Sequence, residues 1–196
     1  MCDKTALEEV AMITDVSEML PPIRFRFAAR KAYAAIRWMV AEKSGIDLHA
    51  LLKACYFADK DHLNKHERPI FGATYRAMPF GPIPIEIYDM AKCEPLSLAD
   101  MGVDHFPWKL DGYKLHPDSN TDVELGDLSA SDQESLKYGF QRSNSMTFNQ
   151  RTADTHGRDW QAARLGIMNY EDMIDDGPHK AALVEHLRRE GRFLRL

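Results

Sequence analysis

The chain has no C-x-x-C pair, and its three cysteines, Cys2, Cys55 and Cys93, are an odd set. They supply neither a disulfide framework nor a thiolate zinc site. No uninterrupted apolar run reaches the roughly 20 residues needed to cross a bilayer. The first twenty residues carry Asp3, Glu8, Glu9, Asp15 and Glu18 and lack the basic start and apolar block of a secretory signal. A reducing, cytosolic setting is therefore expected. Positive charge is in deficit: 25 Lys and Arg against 30 Asp and Glu leave a net charge of -5, the wrong sign for a general binder of nucleic acid. The G-x-S-x-G of serine hydrolases is missing, as are the phosphate cradles G-x-x-x-x-G-K and G-x-G-x-x-G. No repeat and no low-complexity tract occurs.

What is present suffices for one core. At 196 residues, with 44% hydrophobic, 10% aromatic and 28% charged, the chain fits a single domain better than two. Residues 1–22 are acidic and end in Pro21-Pro22, which reads as an arm ahead of a domain at 23–191 and a tail at 192–196.

Helical spacing of Ala28, Ala32, Ala35, Ile36, Met39 and Val40 predicts a helix over Phe27 to Lys43, with Ser44-Gly45 as a left-handed stop. Asp47 is placed to cap a second helix, whose apolar stripe Leu48, Leu51, Leu52, Cys55, Tyr56 and Leu63 runs to about Lys65. Glu67-Arg68-Pro69 breaks it. Ile70 to Met78 reads as extended backbone, and Phe80-Gly81-Pro82-Ile83-Pro84 as a stiff turn feeding a helix from Ile85 to Lys92. Asp111-Gly112 between Trp108–Leu110 and Tyr113–Leu115 predicts a hairpin, with Val123-Glu124-Leu125 a candidate third strand. Ser131 and Glu134 read as a capping box for a helix through Leu136, Tyr138 and Phe140. Further helices are expected over Met146 to Thr155, Arg158 to Leu165 and Pro178 to Glu190. The fold class is mainly helical α+β: a compact helical domain with a small antiparallel sheet.

Asp59, His62 and His66 share one face of the second helix because their offsets are three and four. Imidazole and carboxylate on one face is how a zinc or iron site, or a His/Asp-based enzyme, begins. The spacing is not H-E-x-x-H, and further ligands must come from distant His105, His116 or His156. The reading favoured is a polar face that bonds to the following loop and to the chain near His156, with no metal, no cofactor and no catalytic residue. Cys55 on the apolar stripe is a small hydrophobe rather than a nucleophile. Basic residues cluster at Arg24, Arg26, Arg30, Lys31 and Arg37 and at Arg188, Arg189, Arg192 and Arg195. Acidic clusters at Glu171, Asp172, Asp175 and Asp176 and across Asp118 to Asp132 oppose them. Segregated charge of both signs suits a charged protein partner or internal salt bridges better than DNA.

One order of motifs is specific. Leu52-Lys53-Ala54-Cys55-Tyr56-Phe57-Ala58-Asp59 is followed by His62-Leu63, by Arg68-Pro69-Ile70 and Gly72, and by Tyr75-Arg76-Ala77-Met78-Pro79-Phe80-Gly81-Pro82-Ile83 with Ile87-Tyr88. This stretch resembles the Panacea domain of SocA-like antitoxins, grouped also with phage GepA-type proteins. Leu128 to Leu136 and Thr155 to Trp160 resemble that family's closing helices, so the likeness covers roughly residues 29–163. Two departures, His66-Glu67 in place of a Gly before Arg-Pro and Pro79 at a position often charged, bear on which partner the chain fits.

The resemblance implies a non-enzymatic antitoxin that binds and neutralises a cognate protein toxin. SocA-type members are also regarded as adaptors handing their toxin to the ClpXP protease, so a Clp-type protease is an implied second partner. The motif residues Tyr56, Phe57, Asp59, His62, Arg68, Pro69, Gly72, Tyr75, Gly81, Pro82 and Tyr88 either define the fold or meet the partner. Met78, Phe80, Ile83 and Ile85 near the turn are candidates for partner contact. The competing class is an enzyme built on Asp59, His62 and His66.

Overall fold

The computed structural model describes residues 21–99, 101–118, 123 and 125–196, so the acidic stretch Met1–Leu20 and the strand expected around Glu124 lie outside the described residues. Helix α1 (Ala29–Glu42) buries Ala32, Ala35, Ile36, Met39 and Val40, the stripe its spacing dictates. Gly45 behind it takes φ 75°, a conformation open to glycine without Cβ strain. The short β1 (Ile46–Asp47) leads into α2 (Leu48–His66), and the Asp47 carboxylate accepts the Ala50 N–H at 3.3 Å. Glu67, left-handed at φ 58°, ends α2. From Ala50 through Asp59 every α2 residue is buried, so the helix is enclosed on all sides rather than laid on the surface by one stripe.

Strands β2 (Tyr75–Met78) and β3 (Gly81–Pro84) pair antiparallel around Pro79-Phe80, in register from Met78↔Gly81 to Tyr75↔Pro84. The segment 80–84, expected as a stiff turn, is therefore mostly strand. Prolines fit there because Ala77 N–H turns away from β3 to donate to Gly166 O at 2.9 Å. By antiparallel geometry, Pro82 and Pro84 then hold positions whose backbone nitrogens face away from β2. Pro84 caps α3 (Ile85–Ala91), followed by α4 (Leu96–Ala99). Strands β4 (Trp108–Asp111) and β5 (Lys114–Pro117) form the expected hairpin, moved by one residue: Asp111 pairs with Lys114, and Gly112 in the Gly112-Tyr113 loop takes φ 57°. The sheet's third strand is β1, in the order β1-β5-β4.

Helix α5 (Ala130–Asn144) opens with a capping box of Ser129 and Asp132, not Ser131 and Glu134. Starting two residues earlier turns Asp132 inward, where Lys31 Nζ meets it at 2.6 Å. Helix α5 lies along α2 with Gly139 at the crossing. A Cβ there would stand 2.4 Å from Ala54 O, so only glycine lets the backbones come this close. Helix α6 (Phe148–Asp154) carries a Thr147–Gln150 capping box, and α7 (Arg158–Ala162) follows. The four-residue α8 (Tyr170–Met173) is too short to show a period in the sequence. Helix α9 (Lys180–Glu190) runs into a 3₁₀ turn at Gly191–Phe193. Among the described residues no helix is long and apolar enough to cross a membrane.

Candidate functional site

The carboxylate of Asp59, fully buried on α2, accepts the backbone N–H groups of Ile70 at 2.8 Å and Phe71 at 2.9 Å and the Tyr75 hydroxyl at 3.0 Å. Burial raises its pKa to about 7, outweighing these hydrogen bonds. One turn on, His62 Nδ1 donates to Arg68 O at 2.7 Å while Nε2 accepts from the Ser131 hydroxyl at 3.2 Å. Burial lowers the His62 pKa. The His66 ring packs on that of His62 at 4.5 Å. The polar face does tie down the following loop, as expected. The stretch near His156 is met instead by Tyr56 and Lys60 of the same helix, at Asp159, while His156 itself stacks on Trp160 at 3.7 Å. Among the described residues no three His, Cys, Asp or Glu side chains are grouped to hold a metal ion.

Arg68 and Pro69 lie in the loop this network holds. Arg68 Nη2 stands 3.2 Å from Asp132 Oδ1, as does His62 Nε2, although neither is aligned for a directed hydrogen bond to that oxygen. Burial pushes the Asp132 carboxyl up, but hydrogen bonds from Lys31 and Ser129 outweigh it and hold the pKa below the usual carboxylate range. Gly72, at φ 62°, lets the loop pass under the end of the chain: a Cβ there would meet Leu196 Cδ1 at 2.6 Å and Arg26 O at 2.9 Å.

Tyr56 and Phe57 are both buried. The Tyr56 hydroxyl donates to buried Asp159, which Lys60 Nζ also approaches at 3.0 Å. Burial first, and the adjacent carboxylate second, raise the Tyr56 pKa. The Arg142 guanidinium lies 4.8 Å from the Phe57 ring centre and pairs with Asp154. Tyr56, Phe57, Lys60, Arg142 and Asp154, with Asn64 and Tyr138, line a cleft of about 360 Å³ between α2, α5 and α6. Lys60, Lys65 and Arg142 each already hold a carboxylate, which leaves the cleft little net charge for a ligand.

The β2–β3 hairpin stands on a base of nitrogen donors. Lys53, 1% exposed, donates from Nζ to Pro82 O at 2.8 Å. Gly81, at φ 93°, makes room for it, since a Cβ there would lie 2.3 Å from Thr155 Oγ1 and 3.0 Å from Lys53 Cε. His49 Nε2 donates to Phe80 O at 3.1 Å and Nδ1 accepts from Arg151 Nε at 3.3 Å. Trp160 Nε1 donates to Met78 O at 2.9 Å. The tip is thus clamped by its carbonyls while its side chains face outward. Phe80 is 59% exposed and meets Phe148 at 5.3 Å, and Met78 is 36% exposed. Ile83 and Ile85 are half-buried, as is Tyr88 on α3 beneath Lys92.

The structure thus separates the residues singled out from the sequence. Asp59, His62, Tyr56, Phe57 and Tyr75 are buried, with Arg68 against Asp132 beside them, whereas Met78 and Phe80 form an exposed lip with Ile83 and Ile85 behind it. Sequence reasoning missed Lys53, Asp132, Asp159 and Phe148, whose partners lie far along the chain. A buried lysine has no local signature, and Phe148 reads only as one residue of a short helix.

A family model described as antitoxin SocA-like, Panacea domain, matches residues 51–161. No curated protein and no solved structure matches the chain.

Proposed function

The chain belongs to the SocA-like Panacea antitoxin family, and on that premise we propose that it neutralises a protein toxin by binding it directly through the lip of Met78, Phe80, Ile83 and Ile85. The observation that carries the lip is its support: exposed Met78 and Phe80, with half-buried Ile83, on a hairpin whose backbone is fixed by Lys53, His49 and Trp160, and Ile85 at the start of the helix that follows. A backbone held in place before contact loses little freedom on binding, and aromatic and methionine groups anchor interfaces well. The polar motif residues are engaged inside the chain: Asp59 with the 70–71 backbone, His62 with Arg68 and Ser131, Tyr56 with Asp159. That engagement favours a role in building the scaffold, with binding by shape rather than turnover.

Co-expression with the protein encoded by the adjacent open reading frame tests this reading. The expected outcome is restored growth and a complex that survives purification. Persistent toxicity with no complex overturns it. Toxin half-life in the same cells separates blocking from delivery to a Clp-type protease. A bound and blocked toxin stays level or accumulates, whereas a delivered one falls, and falls only while the protease is present.

A further inference from the structure

The exposed apolar surface is larger than the hairpin lip. Alternation along β2 sends Tyr75 and Ala77 into the core and Arg76 and Met78 outward. On the side of β2 away from β3, Ile167 lies opposite Arg76 in an antiparallel bridge, held by Ala77 N–H to Gly166 O and Met168 N–H to Tyr75 O, both at 2.9 Å. The segment before α8 thereby extends the ribbon and adds Ile167, 44% exposed, and Leu165, 53% exposed, to the face. Phe148 on α6 continues it past Phe80.

At one edge of this face the Glu86 carboxylate is taken up by Thr74, whose N–H and hydroxyl donate to it at 2.8 and 2.7 Å. Arg76 is exposed in the middle of the face, and among the described residues no carboxylate stands within ion-pair distance of Arg76. Behind the hairpin, Arg151 hydrogen-bonds to carbonyls and to the His49 ring, again with no carboxylate in contact among the described residues. Several cations elsewhere in the chain are paired with acids, as at Lys31–Asp132, Lys60–Asp159 and Arg142–Asp154. An exposed arginine beside Met78, Ile83 and Ile167, with no carboxylate in ion-pair distance, is the complement of an acidic group in a largely apolar surround.

We propose that the face formed by Met78, Phe80, Phe148, Leu165 and Ile167 around Arg76 docks the neutralised protein, which presents a carboxylate to Arg76 from among apolar side chains. This deepens the antitoxin reading and rests on it. Leu165 and Ile167 lie beyond the matched residues 51–161, so they are positions where partner choice can vary without touching the shared scaffold.

The test uses the full chain and the protein encoded by the adjacent open reading frame, with affinity measured in a surface-capture titration. Arg76→Glu and Ile167→Asp are expected to weaken binding at least tenfold while leaving the unfolding temperature unchanged, since both side chains are exposed. Leu96→Asp, exposed on α4 away from this face, is expected to bind as the wild type does. Replacing the partner's acidic residues singly with lysine is expected to yield one variant that regains affinity for Arg76→Glu. A wild-type complex that tolerates both face substitutions overturns the proposed face and leaves the antitoxin reading standing. The absence of any wild-type complex removes both. Sedimentation showing a dimer of the free chain that Ile167→Asp dissociates assigns the face to a second copy and also overturns the proposal.

Discussion

Lys53 carries an amine into the interior with a carbonyl, not a carboxylate, as its partner. Burial, aided by nearby Arg151, lowers its pKa from 10.5 to about 7. Between those two values the unfolded chain holds a proton that the folded chain has released. Stability therefore rises with pH from about 7 to about 10.5 through this group, and falls back as pH drops. Lys53→Met removes that slope: between pH 7 and pH 9.5 the wild type is expected to gain stability relative to the variant, read from urea midpoints, by on the order of 3 kcal/mol. Parallel behaviour of the two proteins contradicts a buried, deprotonating Lys53. Asp59, Tyr75 and His62 raise a related question. Residue type and spacing single them out, but do not tell a ligand from a structural brace. That distinction comes from the atoms they face, the Ile70 and Phe71 amides and the Arg68 carbonyl.

Helices α2 and α5 form the central pair of elements, and their closeness depends on Gly139. A methyl group there meets the Ala54 carbonyl at 2.4 Å and the Ala58 nitrogen at 2.7 Å, backbone atoms that cannot rotate aside. Gly139→Ala gains about 1 kcal/mol of helix propensity, yet the two helices must separate to admit it, and overpacking of this kind costs about 1–3 kcal/mol or more. Net destabilisation is expected, seen as a fall in unfolding temperature of about 2–8 °C for a chain of this size. A rise in that temperature refutes the close crossing. The hairpin β2–β3 shows how an element escapes sequence reading. Two prolines at alternate positions argue against a helix and equally against a paired strand. They are compatible with β3 only because their nitrogens face away from β2, a matter of pairing phase.

Across the molecule, the two ends of the described chain close on each other. Ile23 N–H donates to Glu171 at 2.9 Å, Arg188 pairs with that same carboxylate, and Gly191 lies against Arg24 and Phe25. Leu194 packs against the core and Leu196 over Gly72. Residues 192–196, expected to be a tail, thus contribute packing, and their deletion is expected to lower the unfolding temperature by about 2–6 °C, consistent with partial loss of two leucine contacts. An unchanged temperature shows these contacts to be idle. The helical stripes of α1 and α2, the Asp47 cap, the hairpin near 108–117, the lack of known catalytic signatures and the order of motifs that marks the family are all legible in the amino-acid order. Each is written within a few neighbouring residues, where backbone geometry and side-chain period act directly. Long-range packing was needed to settle that Ser129 rather than Ser131 caps α5, that β1 completes the sheet, that Lys31 and Tyr56 find acids about a hundred residues away, and that Arg76 and Ile167 come side by side. Those outcomes depend on which surfaces meet once apolar area is buried, and no local window of the chain contains both partners.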